Sequence, residues 1–292
     1  MTVAAEPQPS VSPSLDEVRA LADDYNLIPL RHTFIDDCET PVSAFLKLRG
    51  EEPSFLLESA DQGQRVGRWS FLGFKPRTVV RWTPGDGSGE DDPYALAARA
   101  VARYRQAPLA DGPPFAGGAV GMFAYDLVRT VEPLGPPNPD PLGLPDLALM
   151  LSDLLVAFDH LKHTVTVLAN VYVEPGDDLD AAYAAAVEGI ADVRRRLAGP
   201  VPRAPVRPPR AMPDFESNMP REEFERIVAR IVEYVHAGDA FQVVPSQRWS
   251  ARAPVEAFSI YRGLRAVNPS PYMYFLDFGD FEVAGASPEP LL

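Results

Sequence analysis

The sequence predicts an α+β protein whose strands run mostly antiparallel, and three observations carry that reading. Segments with apolar residues at helical spacing, flanked by capping residues, recur along the chain. Between them lie short apolar runs bounded by Gly, Pro and charged clusters, which is how strands read. Some of these runs are joined by connections of turn length, so the strands they link are antiparallel. With 292 residues, 46% of them hydrophobic and 23% charged, the chain can bury a substantial core, as one large domain or two smaller ones.

The first thirteen residues are small, polar and proline-containing, too poor in apolar groups to offset their ordering entropy, and are expected to form a disordered tail. "PSLDEVRALADD" then reads as a short helix. "FLLES", "WSFLGF" and "TVVRW" read as strands and "TPGDGSGEDD" as a loop. "DDPYALAARAVARYRQ" is a helix capped by Asp92 ahead of Pro93 in its first turn. "FAGGAVGMFAYDLVR" reads as a glycine-bearing strand, where missing side chains let another backbone or a ligand approach closely. "LALMLSDLLVAFDH" and "TVTVLANVYV" are expected to form one long hairpin across "LKH". "DDLDAAYAAAVEGIADVRRRLAG" is a helix, acidic at its start and ending in Arg194, Arg195 and Arg196, as the macrodipole favours.

Residues 199–213 hold six prolines and cannot sustain a helix or a central strand, so they read as an exposed connector between residues 14–198 and residues 214–292. Beyond it, Phe224, Ile227, Val228, Ile231, Val232 and Val235 recur at helical spacing, ended by Gly238, and the stripe is expected to pack into a core. "AFQVVPSQRW" reads as a strand whose pleat sets Gln242, Val244, Ser246 and Arg248 on one face, with Pro245 implying an edge or a bulge. "YMYFLDF" and "FEVAGA" form a hairpin across Gly279 and Asp280. A chain ending "SPEPLL" directly after that hairpin reads as interrupted, which would leave an apolar edge unpaired.

Charge and composition exclude several classes of function. The net charge of −14 repels phosphate-rich partners, no basic patch offsets it, and the three arginines suit their helix end, so no nucleic-acid partner is expected. The single cysteine, Cys38, rules out an internal disulfide and fits a reducing compartment. No apolar run reaches spanning length and no signal peptide opens the chain, so a cytoplasmic protein without a membrane partner is expected.

There is no zinc spacing, Walker loop, dinucleotide fingerprint or nucleophile elbow, and His160 and His163 read as solvated turn residues. Polar groups set in apolar strands then draw the attention, because burying one without a partner costs a few kcal/mol, roughly. Glu58 and Ser59 end the "FLLES" strand, where they either hold an ammonium group or cap the next turn. Gln242 heads its apolar run. Glu289 follows a strand and a proline turn, pointing either into a cavity or out to a surface turn.

The stretches "LLES", "GRWSFLG", "GGAVGMFAYDLVR", "GDAFQVVPSQRW" and, above all, "NPSPYMYFLDFGDFEVAGASPE" resemble those of anthranilate synthase component I, within the chorismate-utilising enzymes. The resemblance runs over most of the chain. It implies an α+β fold of two large sheets around a cleft with helices outside, and Mg²⁺-dependent amination of chorismate to anthranilate and pyruvate in tryptophan biosynthesis. Residues 14–198 then correspond to a regulatory sheet region and 214–292 to the start of the chorismate-binding catalytic domain. Where related isochorismate-forming and salicylate-forming enzymes carry a lysine that activates water, this chain has Gln242. Ammonia already has its lone pair and needs orientation more than deprotonation, which a neutral amide can supply. Glu289 matches the general acid that protonates the departing C4 hydroxyl.

The same resemblance implies feedback by tryptophan. Glu58 and Ser59 would take its polar end, and Asn268, Pro271, Tyr272 and Met273 would line the pocket. A glutamine amidotransferase subunit is the implied ammonia donor. Family members continue well past "SPE" into a C-terminal half that carries the Mg²⁺-binding glutamates, so no metal ligand is assigned in this chain. A fragment of a longer enzyme is expected, inactive by itself. Two rival readings are the aminodeoxychorismate synthase subunit of folate synthesis, which shares the fold, and a tryptophan-sensing module without catalysis.

Overall fold

The computed structural model describes residues 10–59, 67–85, 92–202 and 212–291. Contacts divide the chain into two compact units, Met1–Arg203 with Tyr261–Leu292, and Ala204–Ile260. In chain order the elements are α1 (Leu15–Leu21), β1 (Leu27–Ile35), α2 (Pro41–Leu48), β2 (Ser54–Glu58), β3 (Trp69–Phe74), β4 (Thr78–Trp82), α3 (Pro93–Ala102) and β5 (Ala119–Phe123). A 3₁₀ helix (Tyr125–Thr130) precedes β6 (Leu147–Leu151), β7 (Leu154–Asp159), β8 (Thr164–Tyr172) and α4 (Leu179–Leu197). Then come β9 (Glu216–Ser217), α5 (Arg221–Ala237), β10 (Trp249–Ser250), α6 (Ala257–Val267), β11 (Tyr272–Asp277) and β12 (Glu282–Ser287).

The larger unit holds a seven-stranded sheet in the order β1-β8-β7-β3-β2-β11-β12 and a three-stranded sheet in the order β4-β6-β5. Every described ladder is antiparallel. The α+β class is therefore as the sequence reads, with one large sheet and one small sheet in this unit. Phe55, Leu155, Ala157, Leu168 and Leu276 from the large sheet meet Ala148 and Met150 from the small one in a shared core. On the other face of the large sheet, α4 lies along β8 and contributes buried Ile190, Val193 and Leu197, and α2 contributes Phe45 and Leu48.

Local signals set the ends of these elements. Ser14 and Thr40 each close a capping box on α1 and α2, and Asp92 and Asp178 accept backbone N–H bonds at the starts of α3 and α4. The arginines closing α4 serve packing and capping: Arg194 lies over the Phe34 ring at 3.8 Å, and Arg196 donates to the carbonyls of Lys47 and Leu48. Gly279, at φ 89°, turns the β11–β12 hairpin, with the Phe278 N–H donating to the Phe281 carbonyl. Gly121 in β5 meets the backbone as its missing side chain suggests, since a Cβ there would lie 1.9 Å from the Ala148 carbonyl oxygen.

Several expectations need correction. Residues 1–9 of the expected tail lie outside the described residues, and residues 10–13 do not fit it, because Ser12 exchanges two backbone hydrogen bonds with Arg31 of β1. The long apolar run at 147–159 is two strands in two sheets, broken at Ser152 and Asp153. There the Ser152 carbonyl leaves the ladders and accepts instead from the Asn170 amide at 3.2 Å and the Tyr172 hydroxyl at 2.9 Å. Only β7 pairs with β8. Residues 86–91 of the expected loop and 203–211 of the expected connector lie outside the described residues.

The region read as 214–292 is also divided. β11 and β12 join the large sheet through β2, so residues from Tyr261 onward belong with the first unit. In the smaller unit α5 ends at Gly238 in the left-handed conformation, yet buries no residue, and Val228, Val232 and Val235 of the expected core stripe are exposed. The run 241–248 forms no strand. A strand needs a partner ladder, and the described residues supply one only at Trp249 and Ser250, which pair with Ser217 and Glu216.

Asp153, at the break between the two sheets, has a carboxyl that burial pushes up to about 6, against the pull of Arg77. The folded protein thus holds this proton more tightly than an unfolded chain, where the carboxyl titrates near 3.8. Its stabilising contribution is complete below the unfolded value and is lost as the pH rises through about 6. Asp153→Asn should flatten that limb of the stability curve, whose slope reaches at most about 1.4 kcal/mol per pH unit. Urea unfolding across this window checks the expectation, and an identical slope in the variant refutes it.

Candidate functional site

Strand β2 is apolar up to its last residue, Glu58, and β11 is its neighbour in the sheet, with Met273 directly opposite Glu58. This ladder joins "LLES" to "NPSPYM", two segments the sequence holds far apart. The pleat then sorts the residues by face. Leu57 and Tyr274 pack against the core between the sheets. Glu58, Met273 and Phe275 point the other way, where the Phe275 ring meets Phe45 of α2 and Tyr261 of α6.

On that face Glu58 is buried, its side chain only 5% exposed, and two hydrogen bonds and an ion pair hold it. The Tyr261 hydroxyl donates to Oε2 at 2.7 Å, Arg265 Nη2 donates to Oε1 at 3.0 Å, and Arg265 Nε lies 2.9 Å from Oε2 as an ion pair. Burial pushes the Glu58 carboxyl up, while Arg265 and the Tyr261 hydrogen bond pull it back down. Burial beside this carboxylate also pushes the Tyr261 phenol up, so it stays a donor. Arg265 thus meets the carboxylate with one charge-assisted hydrogen bond and a close ion-pair contact. Neither partner was singled out in the sequence. The signal was there: a buried acid needs a cation, and Tyr261 and Arg265 stand four apart, on one face of the helix that leads into β11.

The other expected site residues fall around this seam. Ser59 follows Glu58, half-buried at the end of β2. Continuing the β2–β11 register by one residue sets Ser59 across from Tyr272, whose place in the pleat is on the face opposite Glu58 and Met273. Met273 is buried at 2% exposure, Tyr272 is partly exposed and Pro271 is half-buried. Asn268 is exposed just past α6, its N–H donating to the Leu264 carbonyl at 2.8 Å. Glu58 and Met273 thus share one face of the seam and Ser59 and Tyr272 take the other, while Asn268 and Pro271 lie in the segment that leads into β11.

Gln242 and Glu289 belong to different units. Gln242 is exposed in the smaller unit, outside any strand, and makes no hydrogen bond among the described residues. Glu289 is exposed past the end of β12, and its carbonyl accepts from the Ser287 hydroxyl at 2.9 Å. Among the described residues no group of three or more His, Cys, Asp and Glu is arranged to hold a metal ion, so none is assigned to Mg²⁺. No helix among them is long and apolar enough to cross a membrane.

Comparison with known proteins agrees with the architecture. The chain is 41% identical over 290 residues to anthranilate synthase component 1 of Pseudomonas putida, covering 94% of this chain and 58% of that protein. It is 43% identical over 272 residues to the protein of the same name from Thermus thermophilus, covering 90% and 56%. The chain thus spans little more than half the length of these curated relatives. The crystal structure of anthranilate synthase component I from Streptococcus pneumoniae TIGR4 superposes with a TM-score of 0.62 at 28% identity, covering 88% of this chain and 57% of that one. The menaquinone-specific isochorismate synthase of Escherichia coli shares the fold, with a TM-score of 0.52 at 12% identity over 94% of this chain and 54% of that one. Residues 52–292, which include β2, β11 and all of the expected site residues, match the chorismate binding enzymes, and the chain belongs to that family.

Proposed function

We propose that this chain forms part of an anthranilate synthase component I, which aminates chorismate with ammonia to give anthranilate and pyruvate and is inhibited by tryptophan. The observation that carries this reading is the β2–β11 ladder, with Met273 facing Glu58. It joins the two segments that the resemblance assigns to the tryptophan site. The identity to relatives of that name supports the same reading.

In the reaction we infer, the Gln242 amide orients ammonia so that its lone pair adds at C2 of chorismate. The ring double bonds shift, and the C4 hydroxyl departs as water with the proton of Glu289. Loss of the side chain as pyruvate restores aromaticity and gives anthranilate. Mg²⁺, for which the described residues offer no ligand cluster, would be held elsewhere in the full-length protein. An amidotransferase subunit would supply the ammonia. At the seam between β2 and β11, Ser59, Pro271 and Tyr272 would meet the tryptophan, with Glu58 and Met273 on the face behind them.

The full-length protein supplied with chorismate, ammonium and Mg²⁺ should release pyruvate and fluorescent anthranilate in equal amounts, whereas formation of aminodeoxychorismate without pyruvate would overturn the assignment. In that protein Glu289→Gln should lower kcat by about 10²- to 10⁴-fold, the usual worth of a positioned general acid. Wild-type turnover in the variant would remove Glu289 from the mechanism. Ser59→Ala should weaken inhibition by tryptophan about ten- to a hundredfold, as the loss of a hydrogen bond to a charged ligand does. Unaltered inhibition would exclude that contact.

A further inference from the structure

Glu58 has little to offer a ligand. Its carboxylate is buried, already accepts two hydrogen bonds and an ion pair, and stands on the helix-covered face of the β2–β11 ladder, away from the face of Tyr272. What it does instead is tie α6 to β2. Tyr261 and Arg265 lie on α6, and Glu58 ends β2, 203 and 207 positions away in the sequence. The segment 268–271 is strung between two anchors. One is the end of α6, held by this clasp. The other is β11, held by the ladder to β2.

We propose that Tyr261 and Arg265 are positioning residues for the tryptophan site, and that Glu58 acts through them to hold the 268–271 segment rather than by touching the ligand. This rests on the reading of the seam as a tryptophan site. The physical reason is the cost of ordering. With the clasp closed, the segment between the anchors is held before the ligand arrives. With it open, binding must first immobilise α6 and the residues that follow, and affinity falls by that amount. Glu58 is buried and Arg265 is exposed at 39%, so losing Arg265 strands a carboxylate while losing Glu58 does not strand a charge; either loss releases α6 from β2, and the two should act in the same direction.

Calorimetric titration of the full-length protein with tryptophan tests this through a double-mutant cycle of Glu58→Gln and Arg265→Met, with Tyr261→Phe and Arg265→Lys alongside. Each of the two single changes should weaken tryptophan binding about fivefold or more, and the double variant should bind no more weakly than the weaker single. Arg265→Lys, which keeps the charge, should recover part of the affinity. Tyr261→Phe, which keeps the ring packing and loses only the hydroxyl, should show a smaller loss in the same direction, so the inference stays open to refutation even if a clasp variant folds poorly. Losses that multiply in the double variant, or an Arg265→Met protein with wild-type affinity, would overturn the inference and leave the site in place. Absence of tryptophan binding to the wild-type protein would overturn the site itself, and the inference with it.

Discussion

The arrangement depends on one strand pairing, β11 against β2. Without it the large sheet would end at β2, α6 would have nothing to carry its buried Tyr261, and the hairpin that follows would have no place in the core. The pairing is fastened on both faces. On one, Leu57, Tyr274, Phe55 and Leu276 join the packing between the sheets. On the other, Glu58 closes on Tyr261 and Arg265, a polar lock that costs desolvation and repays it only because all three groups are in place. At the far end, Arg81 of β4 grips Asp280 with both nitrogens at 2.6 Å and donates to the Phe278 carbonyl, tying the hairpin tip to the small sheet.

That economy also explains the mixture of residues at the seam. A buried carboxylate at the end of an apolar strand is a liability unless a cation is delivered to it. Here the cation arrives from the helix just ahead of β11, so the docking of α6 and the completion of the sheet draw on the same residue, Glu58. Glu58 therefore has a structural task in joining α6 to the sheet.

Much of the local structure was legible because it rests on short-range chemistry. Ser14, Thr40, Asp92 and Asp178 cap helices, Gly238 and Gly279 take positive φ, and Gly121 makes room for a carbonyl. What was not legible depended on partners distant in the chain. The run 147–159 reads as one strand, since nothing local says that the Ser152 carbonyl will be taken by Asn170 and Tyr172. Gln242 sits in letters that alternate like a strand, but alternation without a neighbouring ladder leaves an exposed segment. The α5 stripe is a true helical face, and periodicity cannot say what covers it. At the seam, resemblance named residues that lie on β2 and β11, and only the pleat separates Glu58 from Tyr272 by face.

Because β11 is made long after β2 but lies inside the sheet, between β2 and β12, synthesis imposes an order on assembly. Five strands can pair as they leave the ribosome, and once β8 has been made β2 still waits with a bare backbone edge while residues 173–271 are translated. Until residues 272–277 emerge, that edge is open to mispairing with any passing strand, and the Glu58 carboxylate beside it, still wet and charged, is the nascent chain's own guard against such association.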